Sequence, residues 1–189
     1  MNFAAIVLAA GAGRRFGGNK LSSSFKGEPL LAHTLRAASA APVSRVIVVC
    51  PPAFDTAAWP DVETVRIASP ELSASLKAGV AAAEGADGFF IFLGDMPLVP
   101  LDIAAELAAN LGKNLAAMPR WQGQPGHPVL LSVRALPMIA GLEGDQGAGP
   151  LLKGREDVAF VDCADEGVML DVDRAEDIAR LENRGVSRS

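Results

Sequence analysis

Apolar and polar positions follow two alternating rhythms along the chain. Phe3 to Ala9 is an unbroken apolar run, the pattern of a parallel strand covered on both faces. Pro29 to Ala41 switches to helical spacing through Leu31, Leu35 and Ala38, with a proline suited to a first turn. Arg45 to Cys50 predicts a second strand stopped by Pro51-Pro52, and Val62 to Ile67 a third. A helix over Ser73 to Glu84, a strand over Gly88 to Leu93, a helix over Leu101 to Leu111 and a short strand over Leu115 to Met118 continue the series.

The rhythm breaks from Trp121 to Pro128, where prolines and glycines predict a loop. A short apolar stretch at Val129-Leu130-Leu131, a helix from Ser132 to Leu142 and a glycine-rich loop at 144–149 are expected next. Late short strands are expected at Val158 to Val161 and Val168 to Val172, then a closing helix from Ala175 to Asn183. No internal repeat or low-complexity linker interrupts the order. This βα alternation calls for an α/β fold, a three-layer α/β/α sandwich around a mostly parallel, Rossmann-like sheet. In such sheets ligands sit beyond the carboxyl ends of strands, which directs attention to the turns after Ala9 and Leu93.

With 189 residues, the chain has the length of one domain of ~100–200 residues. We expect that domain over residues 1–183, followed by a polar tail at 184–189. Half of the residues are apolar and mean hydropathy is +0.26, which excludes a disordered chain. A formal charge of −5 and few aromatics argue against a nucleic-acid or anionic-membrane partner. Cys50 and Cys163 follow no metal spacing and each ends an apolar run, so buried free thiols are expected. The amino-terminal apolar run precedes its positive charges, the reverse of a secretory signal, and is too short to span a bilayer. A soluble, cytoplasmic protein is the expectation.

The turn after the first strand reads Leu8-Ala9-Ala10-Gly11-Ala12-Gly13-Arg14-Arg15-Phe16-Gly17-Gly18-Asn19-Lys20-Leu21. It fails the dinucleotide fingerprint because Phe16 stands where the third glycine falls. It fails the Walker A spacing because Asn19 displaces the lysine. The physical ingredients remain: glycines that let backbone N–H groups approach an anion, with three cations in the same loop.

This run resembles the signature loop of small GT-A-like nucleotidyltransferases, and within them the molybdenum cofactor cytidylyltransferases. Their guanylyltransferase relatives usually start Leu-Ala-Gly-Gly, whereas this chain has Leu8-Ala9-Ala10-Gly11, a difference that in the family goes with cytosine. The resemblance implies that Leu8, Ala9, Ala10, Gly11 and Gly13 bind the nucleotide. Arg15 and Lys20 would hold the triphosphate, with Arg14 assisting. Gly94-Asp95-Met96-Pro97 emerges at the ligand edge after a buried strand. A carboxylate there suits Mg²⁺, or serves as a turn or N-cap residue. The resemblance makes it the family's metal-binding turn.

In Asp171-Val172-Asp173, extended alternation puts both carboxylates on one side. Asp173 is read as the N-cap of the closing helix or, by resemblance, as the acid that completes the family's metal site, ahead of Asp171. Leu72-Ser73-Ala74-Ser75 opens a helix with hydroxyls, and Ser73 and Ser75 are read as nucleotide-facing by resemblance or as capping residues. The Gly126-His127-Pro128-Val129 segment resembles one near the family's acceptor site, which makes His127 an acceptor-binding candidate. His33, inside a helix, is read as structural. Gly144-Asp145-Gln146-Gly147-Ala148-Gly149 resembles the branch's Gly-Asp-x-Gly-Ala-Arg, with Gly149 where arginine is usual. Asp145 is an acceptor-binding candidate by this resemblance, and Lys153 or Arg155 would then meet the acceptor phosphate, or the acceptor itself differs.

The function implied is transfer of CMP from CTP to the phosphate of a molybdopterin-type cofactor, with Mg²⁺ as cofactor and pyrophosphate as product. Guanylyl transfer to the same cofactor, cytidylyl transfer to a small polyol phosphate and a non-catalytic nucleotide carrier are the competing readings. Transient handover of the product to an apo-oxidoreductase is implied by the resemblance alone.

Overall fold

A computed structural model describes residues 1–11, 13 and 16–183. The elements in chain order are β1 (Phe3–Leu8), β2 (Ser24–Phe25), β3 (Glu28–Pro29), α1 (Leu30–Ala40), β4 (Arg45–Cys50), β5 (Glu63–Arg66) and α2 (Leu72–Ala82). They continue with β6 (Gly88–Leu93), α3 (Ile103–Leu111), β7 (Ala116–Trp121), β8 (Gln124–Pro125), β9 (Val129–Ser132), α4 (Leu136–Ala140), α5 (Ala148–Leu152), β10 (Val158–Asp162) and α6 (Ala175–Asn183).

The central sheet has the order β10-β7-β9-β6-β1-β4-β5, with β8 hairpinned onto β7. Ile6 of β1 pairs with Ile47 of β4 and Ile91 of β6, both in parallel register. The β4–β5 and β7–β10 pairs are also parallel, whereas β9 runs antiparallel to both β6 and β7. The expected mostly parallel α/β architecture is what forms.

Alternation along each strand divides the core in two. Phe3, Ala5 and Val7 of β1, with Phe90 and Phe92 of β6, pack on one face under Leu31 and Leu35 of α1, Leu107 of α3 and Leu181 of α6. Ala4, Ile6 and Leu8, with Phe89 and Ile91, face the other way against Leu76 of α2, Ile139 of α4 and Leu152 of α5. Helix α2 lies close on the sheet because position 79 is glycine: a Cβ there would run into the Ile6 side chain and come within 3.1 Å of Val49.

Four local expectations are corrected. Val168 to Val172 is not a strand; Glu166–Met169 forms a 3-10 turn followed by extended chain. Gly167 passes so close beneath the Leu98 carbonyl that a side chain would clash, and the Val168 carbonyl accepts the His127 N–H at 2.8 Å. The backbone is therefore committed to a crossing rather than a ladder. The continuous helix over Ser132 to Leu142 is also absent. Ser132 ends β9, a 3-10 turn covers Val133–Ala135, and α4 restarts with Pro137 in its first turn, where a missing N–H is tolerated.

The loop expected over Trp121 to Pro128 contains a hairpin instead. Gln122 and Gly123, both at positive φ, give the two-residue turn that matches strand twist. The glycine-rich stretch ends in α5 rather than in a loop throughout. Both cysteines are free, but only Cys50 is buried; Cys163 is half-exposed just beyond the edge strand β10. The expected tail at 184–189 lies outside the described residues. No helix among the described residues is long and apolar enough to cross a membrane.

Candidate active site

The carboxyl edge of the parallel strands opens into a cleft of about 900 Å³. Its floor begins where β1 ends. The Ala9 N–H donates to Val49 on one side, and Leu8 accepts from Gly94 on the other, so the exit from β1 is tied to both neighbouring strands. Ala9 and Ala10 are buried, while Gly11 has open space where a side chain would stand. Gly13 takes φ +53, which glycine adopts without strain, and turns the chain so that Lys20 lies beside it. Buried Leu21 anchors the short 3-10 turn Lys20–Ser22 that follows. Leu8, Ala9, Ala10, Gly11, Gly13 and Lys20 all line the cleft. Arg14 and Arg15 lie outside the described residues.

Asp95 reaches the same place from β6. Its turn is fastened from beneath by Thr34 of α1, a fully buried hydroxyl 3.2 Å from the carbonyls of both Gly94 and Met96. One hydroxyl proton is shared between the two carbonyls that flank Asp95. Gly94 is required here as well, since a Cβ would meet the Leu8 carbonyl at 3.1 Å and Leu31 at 3.2 Å. The Asp95 carbonyl accepts the Val172 N–H at 2.9 Å, which draws the 171–173 segment alongside. Asp177, in the first turn of α6, accepts from the N–H groups of Asp173 and Arg174 at 3.0 and 2.8 Å. These bonds hold the Asp177 carboxyl below its usual range, that of Arg174 contributing most.

Asp95, Asp171 and Asp173 thus offer carboxylate oxygens within 4.8 Å of one another. Among the described residues no other group of three or more metal-ligating side chains forms. Hard oxygen donors in this number suit a small divalent cation. Burial pushes the Asp171 carboxyl up, and the charges of Asp95 and Asp173 push it further, partly offset by its own backbone hydrogen bond and by Lys20. The Lys20 ammonium is 2.6 Å from Asp95 and only 13% exposed, so one positive charge is already gathered at the acids. The set therefore fits a divalent ion: repulsion among three carboxylates is what such an ion relieves. Both Asp171 and Asp173 converge on Asp95, so the sequence-level choice between them does not arise.

The remaining candidates divide. Ser75 and Asp145 line the cleft. The Ser75 hydroxyl donates to Glu71 within its own helix at 3.1 Å, the local bond of a helix-opening serine. Ser73 is buried and not among the residues that line the cleft, and its N–H donates to the Gly144 carbonyl at 3.1 Å. Lys153 is exposed at the end of α5 and does not line the cleft. His127 stands beyond the acid cluster rather than in the cleft lining, at the start of β9. Its Nδ1 is buried without a hydrogen-bond partner. Burial holds its pKa below the ordinary histidine value, against the opposing effects of a hydrogen bond to the Ile91 backbone and the charge of Asp95. His33 is structural as read, 2.9 Å from the Phe25 carbonyl and edge-on to the Phe25 ring.

Thr34 and Phe54 were not singled out from the sequence. Thr34 leaves a trace there: it is the lone hydroxyl on the apolar stripe of Leu30, Leu31, Leu35 and Ala38. Phe54, which lines the cleft, sits in a loop with no periodic signal.

A sheet edge that gathers a glycine loop, a lysine and three carboxylates defines a protein that handles polyphosphates. Residues 5–159 match the MobA-like NTP transferase domain, and the chain belongs to that family of nucleotidyltransferases. It is 30% identical over 189 residues to the purine catabolism protein PucB of Bacillus subtilis, covering 91% of this chain and 92% of that one. It is 31% identical over 119 residues to a probable molybdenum cofactor guanylyltransferase of Thermococcus gammatolerans, covering 61% of each. A 2-C-methyl-D-erythritol 4-phosphate cytidylyltransferase of Cereibacter sphaeroides is 36% identical over 148 residues, covering 68% of this chain and 65% of that one.

Among solved structures, the homologue of Mycobacterium tuberculosis Rv0371c from Mycobacterium sp. strain JC1 superposes with a TM-score of 0.87 at 30% identity. That match covers 99% of this chain and 98% of that one. Rv0371c in complex with manganese gives 0.80 at 25%, covering 97% and 99%. As a nucleotidyltransferase the chain is an enzyme, which sets aside the carrier reading.

Proposed function

We propose that the protein transfers CMP from CTP to the phosphate of a molybdopterin-type cofactor, releasing pyrophosphate. The observation that carries this reading is the convergence of the Gly11–Gly13 loop, Lys20 and the Asp95–Asp171–Asp173 acids on one cleft. Leu8-Ala9-Ala10-Gly11 at the cleft floor favours cytosine by the family resemblance. Purified protein is offered each of the four NTPs with Mg²⁺ and molybdopterin while pyrophosphate is followed. CTP alone among the four should support release, and only when acceptor and metal are both present; release with another NTP in place of CTP, or with none of the four, would refute the reading.

In the reaction a phosphate oxygen of the acceptor bonds to the α-phosphorus of CTP as the bond to the bridging oxygen breaks. Pyrophosphate carries away that electron pair. No protein nucleophile is needed, because a phosphate monoester is already anionic near neutral pH. The obstacle is bringing two polyanions together. Loop N–H groups and Lys20 offset that repulsion and orient the triphosphate, Arg15 and Arg14 adding charge from the same loop. Asp95, Asp171 and Asp173 would hold Mg²⁺, which supplies charge neutralisation at the phosphates. A manganese-bound relative supports a divalent ion in this fold. His127 and Asp145 are the acceptor-side candidates. Lys153 or Arg155 would reach the acceptor phosphate from the exposed end of α5.

Guanylyl transfer to the same cofactor is the second reading, favoured by the Thermococcus relative's name. Cytidylyl transfer to a polyol phosphate is favoured by the Cereibacter one. The same assay with GTP, and with 2-C-methyl-D-erythritol 4-phosphate as acceptor, separates the three. Cytoplasmic location and handover to an apo-oxidoreductase accompany the first reading. Co-purification of the loaded protein with an apo-oxidoreductase tests the handover.

A further inference from the structure

Lys20, Asp95 and Asp173 line the cleft, while Pro51, Phe54, Ile67 and Pro70 line it from the turns after β4 and β5, which lie on the far side of β1 from β6. A ligand with a polyanionic tail and a flat ring matches that arrangement. The apolar wall depends on the loop at 51–56, which leaves β4 immediately after Cys50. Two prolines at its start remove backbone donors, and between residues 51 and 56 its internal backbone bond is Phe54 N–H to Pro51 at 3.1 Å.

The loop is fastened from outside by side chains of β5, chiefly Arg66. Arg66, the last residue of β5 and the register partner of Cys50, donates from Nη1 to the Pro52 carbonyl at 2.9 Å and to the Phe54 carbonyl at 2.7 Å. Its Nη2 lies 3.5 Å from the Thr56 hydroxyl, which also accepts from Thr64 at 3.1 Å. A planar guanidinium reaches several acceptors in fixed geometry, whereas an ammonium on a flexible stem does not. Every hydrogen bond described for Arg66 goes to this loop.

We propose that Arg66 is a positioning residue that sets the nucleobase wall of the cleft and thereby the preference for a pyrimidine over a purine. The proposal rests on the nucleotide-transfer reading above. Through the Phe54 carbonyl, Arg66 fixes how far the Phe54 ring stands from the cleft floor at Ala9. A loosened wall admits the larger purine and grips the pyrimidine less.

The test compares wild type, Arg66→Ala, Arg66→Lys and Arg45→Ala. The last removes the Arg45–Glu63 pair, which joins β4 and β5 ahead of the Cys50–Arg66 end, and controls for a weakened edge strand. In Arg66→Ala the KM for CTP should rise about tenfold, with kcat within about twofold, as expected when ground-state positioning is lost. The ratio of kcat/KM for CTP over GTP should fall by about the same factor. Amide exchange should quicken at 53–57, Arg66→Lys should recover only part of the loss, and Arg45→Ala should leave KM and the ratio unchanged. Unchanged exchange in Arg66→Ala overturns the strut. Faster exchange with an unaltered KM and ratio overturns its role in selectivity, as does an equal change in Arg45→Ala. If wild type binds no NTP, the nucleotide reading itself fails, while amide exchange still reports whether Arg66 holds the loop.

Discussion

The two halves of the sheet are built differently. Strands β5, β4, β1 and β6 run parallel, each feeding a turn at one edge, and those turns supply the glycine loop, the 51–56 wall and Asp95. Beyond β6 the sheet turns over: β9 is antiparallel to both neighbours, β7 carries a hairpin, and a 3-10 turn crosses from Leu98 to His127. The parallel half gives repeated turns at one edge, the arrangement for cradling a phosphate chain. The mixed half gives irregular crossings that bring single residues, Asp171, Asp173 and His127, toward Asp95 at the seam. Under the proposed function, the first half cradles the nucleotide, the seam gathers the acids Asp95, Asp171 and Asp173, and the second half meets the acceptor.

The sharpest way to break this division is at the seam. Asp95→Ala and Lys20→Ala should each lower turnover by about 100-fold or more for every donor and acceptor pair, the scale of losing one oriented electrostatic group. Pyrophosphate release measured on folded variants checks it, and near-wild-type turnover removes that residue from the machinery.

Thr34→Val should have the next largest effect. It strips the shared donor from the Gly94 and Met96 carbonyls and should destabilise the fold by about 1–3 kcal/mol. Affinity for Mn²⁺, read by calorimetry, should weaken in the same variant, since the Asp95 turn loses its fastening. Thr34→Ser should restore both.

In the mixed half, the depressed pKa of His127 predicts a pH effect. The unfolded chain takes up a proton near the ordinary value of 6.5, which the folded protein resists. Stability is full above that value and is lost as pH falls from it toward the folded pKa, at up to about 1.4 kcal/mol per pH unit. His127→Gln should flatten the fall of Tm between neutral pH and pH values below 6.5.

The smallest effect is expected at Gly149. Open space surrounds it, so Gly149→Arg should fit and should stabilise α5 by about 0.5–1 kcal/mol through helix propensity. Only the acceptor KM should change, with the CTP KM intact; a shift in both would undo the separation between the halves.

The same contrast explains what the chain made legible. Strands buried on both faces, such as Phe3–Leu8 and Gly88–Leu93, write themselves as apolar runs, and their ends locate the site. Lys20, Asp95, Asp171 and Asp173, candidates from turn positions and family resemblance together, lie side by side in the structure. The 3-10 crossing was misread because Val168 and Val172 are apolar for a tertiary reason, burial over the α1, α3 and α6 face, rather than for a ladder. Thr34 and Arg66 escaped because each acts through carbonyl groups of residues far along the chain, or across a loop, that no periodicity marks. A serine that opens a helix, such as Ser73, reads alike in sequence whether it meets a ligand or a neighbouring loop.

Strand β9 enters the sheet at the edge where its antiparallel neighbour β6 leaves it, Val129 lying opposite Ile91. The hairpin between Trp121 and His127 is therefore a graft point next to the acids. Residues inserted at its Gln122-Gly123 tip would lengthen that rim without shifting a single pairing among β5, β4, β1 and β6. A new rim could thus be grown there while the parallel half keeps its geometry.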